Sequence, residues 1–286
     1  MQRLLIFIAI VILVVSSVFA GRLERVREIV TAKDAQIIEI ECDLAAGEFT
    51  IKSGDIEEIA RIDIEYDKRA IEYEIDYRER GKKGYLFIDM DHRKNRSFKD
   101  FDDLENNWDI VLSDKFEISI NLDIGACKAD FDFGGIRLTD LDIDVGAASG
   151  VIDFSEPNKS RLREINIDAG ASSLEMRNLG NANFEYFEFS GGVGSYDFDF
   201  RGKYSGESKI NIEIGLGTGD IILPRDVPVR VETEGCNWLS SIDFHNDDLD
   251  EVDDDIYETE DFDDAKTRIV LRLEVGLGSI DVYWKR

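Results

Sequence analysis

The chain has 286 residues, enough for one or two domains with a real core. Charged residues make up 34% of it and apolar residues 43%, which is too much hydrophobicity for a disordered acidic protein. A formal charge of −28 argues against nucleic acid or anionic lipid as a partner, because both would repel it.

At the N-terminus, Gln2 and Arg3 precede an unbroken apolar run from Leu4 to Val15. Ser16 to Gly21 then offers small residues with a cut site after Ala20. Residues 1–20 read as a secretory signal peptide, or as a signal anchor if retained. Either way the rest of the chain is expected outside the cytoplasm: in the periplasm, at the cell surface or on the extracytoplasmic face of a membrane. A membrane contact is expected only through this segment, if it is uncleaved. Residues 21–35 form a charged lead-in, expected as a helical turn or a tether.

Residues 36–107 read as a β-rich N-terminal region. Ile37 to Leu44 alternates, a turn follows at Ala45 to Glu48, and Phe49 to Lys52 and Ile59 to Tyr66 continue as strands. Ile71 to Tyr77 and Tyr85 to Met90 are the arms of a hairpin around Gly81 to Gly84. The polar stretch from His92 to Asn107 is expected as an exposed loop.

Residues 108–286 carry a repeat. Apolar and polar residues alternate, an acid precedes an apolar residue, and a glycine with small neighbours leads into a second short strand. Ile120 to Cys127, Leu141 to Ala148, Ile165 to Ser172, Phe187 to Gly194, Ile210 to Gly217 and Val270 to Gly278 are copies, and a weaker one centres on Gly235. The turn glycines are Gly125, Gly146, Gly170, Gly192, Gly215, Gly235 and Gly276, with spacings of 21, 24, 22, 23, 20 and 41 residues. Such a period specifies an all-β, stacked short-strand repeat array, a β-solenoid in which each rung buries too little apolar area to stand alone. Ile210, Ile212 and Ile214 share the buried face; Asn211 and Glu213 take the wet one. The glycine provides either an unusual backbone angle or room for a close approach. The last strand, Ile280 to Trp284, is expected at an uncapped end of the array, where it would pair with the N-terminal region or another copy.

The Asn107 to Leu112 segment, the repeated D-x-G-A and E-x-G-L-G turns and the Ile221 to Val231 segment resemble bacterial toast-rack proteins. These include the LiaF-like cell-wall-stress response proteins and related adhesins. The Ala46-Gly47-Glu48 turn is similar to the opening of their N-terminal domain. The resemblance covers Gln36 to Trp284 and implies a toast-rack β fold with no catalytic residues to carry over. Cys127, Ala148 and Ser172 stand where such proteins usually have glycine. LiaF-like regulators also tend to have several membrane helices, whereas this chain has one hydrophobic segment.

Asp123, Asp144, Asp168 and Glu213 recur at one place in the repeat, with Ser190 interrupting. Stacked, they would form a carboxylate ladder, either a hydrated, aggregation-resistant face or a cation site. In the acidic stretch 247–264, Asp253, Asp255, Asp263 and Asp264 are the candidate Ca²⁺ ligands, although the spacing is not that of an EF-hand. No other cofactor is expected. Cys42, Cys127 and Cys236 make no disulfide framework, and Cys127 and Cys236 fall on rungs too distant to bond. No nucleophile motif accompanies His92 or His245. Trp108, Trp238 and Trp284 either stack on sugar rings or pack the rungs.

The sequence therefore points to a non-enzymatic exported scaffold, an accessory in the envelope-stress response or an adhesin-like protein, with an envelope or membrane protein as partner and self-association through open strand edges. The alternatives are a carbohydrate-active or carbohydrate-binding protein on a β-helix, and a Ca²⁺-stabilised module.

Overall fold

The computed structural model describes residues 23–92, 105–234, 239–246 and 249–285. The apolar run at 1–20, the turn glycine Gly235, Cys236, Trp238, the first two acids of the acidic stretch and most of the polar stretch after His92 lie outside them. The described residues form one sheet of sixteen strands that does not close on itself. No helix among them is long and apolar enough to cross a membrane.

The backbone of the fold is a row of long strands: β2 (Ile37–Gly54), β7 (Glu117–Asp132), β8 (Arg137–Asp153), β9 (Leu162–Arg177), β10 (Phe184–Asp199), β11 (Glu207–Pro224) and β16 (Arg268–Lys285). They pair in parallel and in that order. The sequence reading expected two short strands per repeat with a turn between. Each copy is instead one continuous strand of 16 to 18 residues with a corner at the glycine.

The corner reverses the alternation. In β11 the buried positions are Ile210, Ile212 and Ile214 before it, and Gly219, Ile221 and Leu223 after it. Both arms therefore turn their apolar faces inward and pack on each other within one rung. In β10, Phe189 on the first arm meets Tyr196 at 4.7 Å and Phe198 at 4.9 Å on the second, and Phe187 meets Phe200, just past the strand's end, at 5.2 Å between ring centroids. Edge-to-face pairs of this kind add about 0.5–1.5 kcal/mol each beyond the area they bury. Stacking the rungs makes these wedges into one continuous core.

The glycines serve close approach. None of Gly125, Gly146, Gly170, Gly192, Gly215 and Gly276 has a positive φ. A Cβ at Gly146, Gly170, Gly215 or Gly276 would lie 2.5 to 2.8 Å from the carbonyl oxygen of the corner glycine in the preceding rung. At Gly125 the blocking oxygen is that of Ala45. Two residues on, at Gly217 and Gly278, φ is +150° and +133°, and there the backbone angle itself favours glycine. At that same position Ala148 and Ser172 are tolerated, and the Ser172 hydroxyl accepts the Ala148 N–H at 3.2 Å.

Gly191 is the informative exception. Its register partners are Ala169 and Ile214, both core residues. A Cβ at Gly191 would meet the Tyr196 ring at 2.6 Å, so the tyrosine occupies the space that the apolar side chain fills elsewhere.

At the N-terminal end, β2 pairs with β5 (Lys83–His92) along its first arm and β6 (Asn106–Ser113) along its second. Outside β5 lies β4 (Ile71–Arg80), joined to it as the expected hairpin, with Gly81 at φ +63° in the turn. Outside β6 lies β3 (Ala60–Asp67), and then β1 (Leu23–Val30). The lead-in was expected as a helical turn or tether. It is the edge strand β1, because Val26 and Val30 bury on one face while Arg27 pairs with Asp63 at 2.6 Å on the other. Asn106 and Asn107, assigned to the loop by sequence, begin β6.

At the other end the C-terminal strand is not an open edge. β16 lies between β11 and the pair β12 (Val229–Glu234) and β13 (Ser240–His245). The acidic stretch forms the hairpin β14 (Leu249–Asp253) and β15 (Ile256–Thr259), and β15 pairs with β12. The 41-residue spacing from Gly235 to Gly276 is the length of this excursion before the chain returns to pair with β11.

The corner geometry yields a direct test. Gly170→Ala places a methyl against the Gly146 carbonyl, an atom fixed by pairing on both sides, and should destabilise by roughly 1–3 kcal/mol. Denaturant unfolding of the variant measures it; an unchanged midpoint would mean that the corners do not pack at this distance.

Candidate functional site

The register brings the predicted carboxylates together. Asp123, Asp144, Asp168, Ser190 and Glu213 are consecutive partners across β7 to β11. The column continues to Glu274 and Glu234 on one side and to Asp43 and Asp89 on the other. The sequence reading missed these four. Asp43 was hidden because Ala45 takes the place of the corner glycine in β2. Glu274 stood in the quoted repeat and was recoverable from its place two residues before Gly276.

Several carboxylates farther from the corner are paired. On the first arm, Glu39 meets Lys83 at 2.8 Å, Asp140 meets Arg163 at 2.7 Å, and Glu207 meets Arg268 at 2.8 Å. On the second, Glu175 meets Arg177 and Asp199 meets Arg201, both at 2.6 Å. By contrast, among the described residues no cation pairs with Asp43, Asp123, Asp144, Asp168, Glu213 or Glu274. The consequence is visible in proton affinity. Partial desolvation, then the neighbouring Asp123, Asp168 and Asp142 charges, push the Asp144 carboxyl above its ordinary range. Asp43 is raised in the same way, by desolvation and then by Asp123, Asp89, Asp91 and Glu41. On the second arm Asp197, Asp220, Asp281 and Asp243 form a further column, and Asp197 is raised by desolvation, Asp220 and Glu175.

The metal candidates do not converge. Asp253 and Asp255 flank the tip of the β14–β15 hairpin, with the Asp255 carbonyl accepting the Thr233 N–H at 3.0 Å. Asp263 and Asp264 follow β15, and Asp263 lies 3.8 Å from Arg230. Among the described residues no three or more His, Cys, Asp or Glu side chains gather as metal ligands. Phe262 is buried there between the guanidinium groups of Arg230 and Arg268, 4.5 and 5.1 Å from its ring centre.

Trp108 and Trp284 are buried, so neither ring is offered to a sugar. Trp108 donates from Nε1 to the Asn106 side chain at 2.8 Å. Cys42 and Cys127 are free thiols, raised by burial to about 12 and about 11. His245 contacts Asp281 through Nε2 at 2.7 Å and stacks on Tyr283.

One open cleft of about 950 Å³ lies at the C-terminal end of the array. Arg225, Asp226, Asn246, Asp250, Glu260 and Asp261 line it, with Trp284, whose buried Nε1 makes no hydrogen bond.

The column predicts a pH dependence. A carboxyl held above its unfolded value binds its proton more tightly in the folded state. Its share of stability therefore falls as pH rises from the ordinary carboxylate value through the raised folded value, stays low above it, and recovers as pH drops. Asp144→Asn should raise the melting temperature at pH 7 and low salt. The gain should shrink in 1 M salt and at acid pH, where Asp144 is already neutral. A lowered melting temperature at pH 7 would mean that the column is not repulsive.

The family profile described as "N-terminal domain of toast_rack, DUF2154" matches residues 20–177. No curated protein matches the chain. Among solved structures, a candidate cell adhesion protein from Clostridium sporogenes ATCC 15579 is 20% identical, with a TM-score of 0.49, over 92% of this chain and 100% of that one. A candidate adhesin from Bacteroides fragilis NCTC 9343 is 11% identical, with a TM-score of 0.31, over 92% of this chain and 98% of that one. A candidate adhesin from Parabacteroides distasonis ATCC 8503 is 10% identical, with a TM-score of 0.34, over 92% of this chain and 98% of that one.

Proposed function

The chain belongs to the toast-rack family, matched over more than half its length, and from that premise we propose that it is a non-enzymatic, adhesin-like interaction protein displayed outside the cytoplasm. The observation that carries the reading is the column of carboxylates beside the corner from β5 to β12, interrupted at Ser190 and met by a cation, Arg272, only at Glu234 among the described residues. Each member sits about 4.8 Å from the next, the spacing of strands in a sheet. Repulsion along it lowers the stability of the free protein, and a partner bringing positive charge would relieve it. The fold holds this surface rigid, because every rung is packed on both arms. The apolar run before Ala20 supports export as signal or anchor. In its finer form the proposal makes the chain an accessory in the envelope-stress response, docked on a membrane or envelope protein.

One observation favours a second reading. The cleft at the C-terminal end brings four carboxylates, Arg225 and Asn246 to one place, which suits a neutral polyol such as a carbohydrate.

Photo-crosslinkers at exposed Asp142 on the first arm and Glu251 on the β14–β15 hairpin, used in intact cells, separate the two. Recurrent capture of one envelope protein, identified by mass spectrometry, is the expected result. Capture of polysaccharide alone, or of nothing, overturns the scaffold reading.

A further inference from the structure

The corner carries an apolar stripe that packing within the fold does not require. The residue after each corner position points outward, and in the first rungs it is alanine: Ala46, which follows Ala45, and Ala126, Ala147 and Ala171, which follow glycines. In the last rungs it becomes large. Val193, Leu216 and Leu277 are register partners on β10, β11 and β16, and are 52%, 47% and 42% exposed. Leu239, 46% exposed, comes next, since its carbonyl accepts the Gly278 N–H at 3.2 Å and Ser240 pairs with Gly278. Four large apolar side chains therefore stand in a row about 14 Å long, at the inter-strand step of about 4.8 Å. Gly192, Gly215 and Gly276 on one side, and Gly194, Gly217 and Gly278 on the other, leave them standing proud of the backbone.

The flanks differ in chemistry. Three residues before Val193, Leu216 and Leu277 runs the column beside the corner, here Ser190, Glu213 and Glu274, with Glu234 on β12 as the next partner. Glu234 is 3.6 Å from Arg272, whereas Glu213 and Glu274 have no cation among the described residues. Two residues after the stripe runs a hydroxyl column, Ser195, Thr218, Ser279 and Ser241, with Thr218 donating to Ser195 at 3.3 Å. An apolar row between free carboxylates and neutral hydroxyls asks for an occupant that is apolar along one line and basic along one side. A second copy, with its own −28, brings the wrong sign. An anionic lipid surface is repelled likewise.

We propose that the corner from β10 to β13 is a docking stripe for a cationic amphipathic helix of a protein partner. Its apolar face would cover Val193, Leu216, Leu277 and Leu239, and its Lys or Arg side chains would answer Glu213 and Glu274. Helix pitch, about 5.4 Å, is close to the step of the stripe, so about three turns would span it. The proposal rests on the interaction-protein reading and names the partner chemistry for it.

The test uses the exported chain and three fluorescent 18-residue peptides: an amphipathic Leu/Lys helix, a scrambled Leu/Lys peptide of the same composition, and an amphipathic Leu/Gln helix. The amphipathic Leu/Lys helix should bind at least tenfold more tightly than either control. Leu216→Ser with Leu277→Ser should weaken it at least tenfold, and Glu213→Gln with Glu274→Gln should weaken it and flatten its salt dependence. Asp197→Asn with Asp220→Asn, on the other arm, should change it less than twofold. All three pairs are exposed, so circular dichroism should show unchanged folding; Val193→Thr is the substitute should the leucine pair unfold. Equal binding of the scrambled peptide, or indifference to the leucine pair, overturns the proposal. So does sedimentation showing a dimer that the leucine pair abolishes, or binding to zwitterionic vesicles. None of these failures touches the crosslinking at Asp142 and Glu251, so the broader scaffold reading stands or falls separately.

Discussion

The fold depends on how closely two corners can stack. Each long strand must reverse its inward face at mid-length, and it must do so directly above a neighbour doing the same. Without a side chain at Gly146, Gly170, Gly215 and Gly276, the backbone there sits against the carbonyl of the rung below, closer than any Cβ would allow. That contact keeps the rungs in register, and the register decides the rest. It places Ile210, Ile212 and Ile214 over their counterparts in the core, and it lines the acids up outside. A corner opened by one methyl would loosen both arms together, because they share a single strand.

The repeat was readable because its physics is local. Period-two alternation in Ile120 to Ile124 or Leu141 to Val145 fixes which side is buried, whatever lies next to it. Corner glycines with small neighbours mark where the face reverses. The pairing of carboxylates across rungs followed from the same alignment, and it extended to Glu274 without new assumptions. Strand order at the ends was not readable, because it depends on which edge the chain returns to. β16 carries the same pattern as β11 whether it ends the array or sits inside it. Only competition for edges decides: β16 matches β11 along its full length, whereas β12 and β13 offer two short segments. The lead-in failed for a related reason. Arg25 and Arg27 look like tether residues until Glu65 and Asp63 stand opposite them.

Charge is distributed by position. Toward the ends of the arms, some acids are matched by arginines and lysines, as at Glu39, Asp140, Glu207, Glu175 and Asp199. Edge strands follow the same logic. β1 carries Glu24, Arg25, Arg27 and Glu28, β4 carries acids and arginines along its length, and β14 carries Asp250, Glu251 and Asp253. Such edges discourage strand addition by other chains. Beside the corner the matching stops. Unmatched negative charge therefore lines the corner where Asp144 and Asp43 already resist ionisation.

A surface that destabilises its own protein is informative when a neutral alternative was available. Ser190 and the alanines at Ala126, Ala147 and Ala171 demonstrate that the corner tolerates small and uncharged residues at these very positions. Nothing in the packing requires glutamate at Glu213 and Glu274, or valine and leucine at Val193, Leu216 and Leu277. The change from alanine to large apolar residues occurs at β10, whereas the hydroxyl column beside it already runs from Ser149 on β8 and Ser173 on β9, and the acids resume at Glu213 after Ser190. Folding constrains each rung equally, so a difference confined to the last rungs has another origin. Contact with a partner, as proposed above, is a constraint that would act on exposed side chains and not on the core.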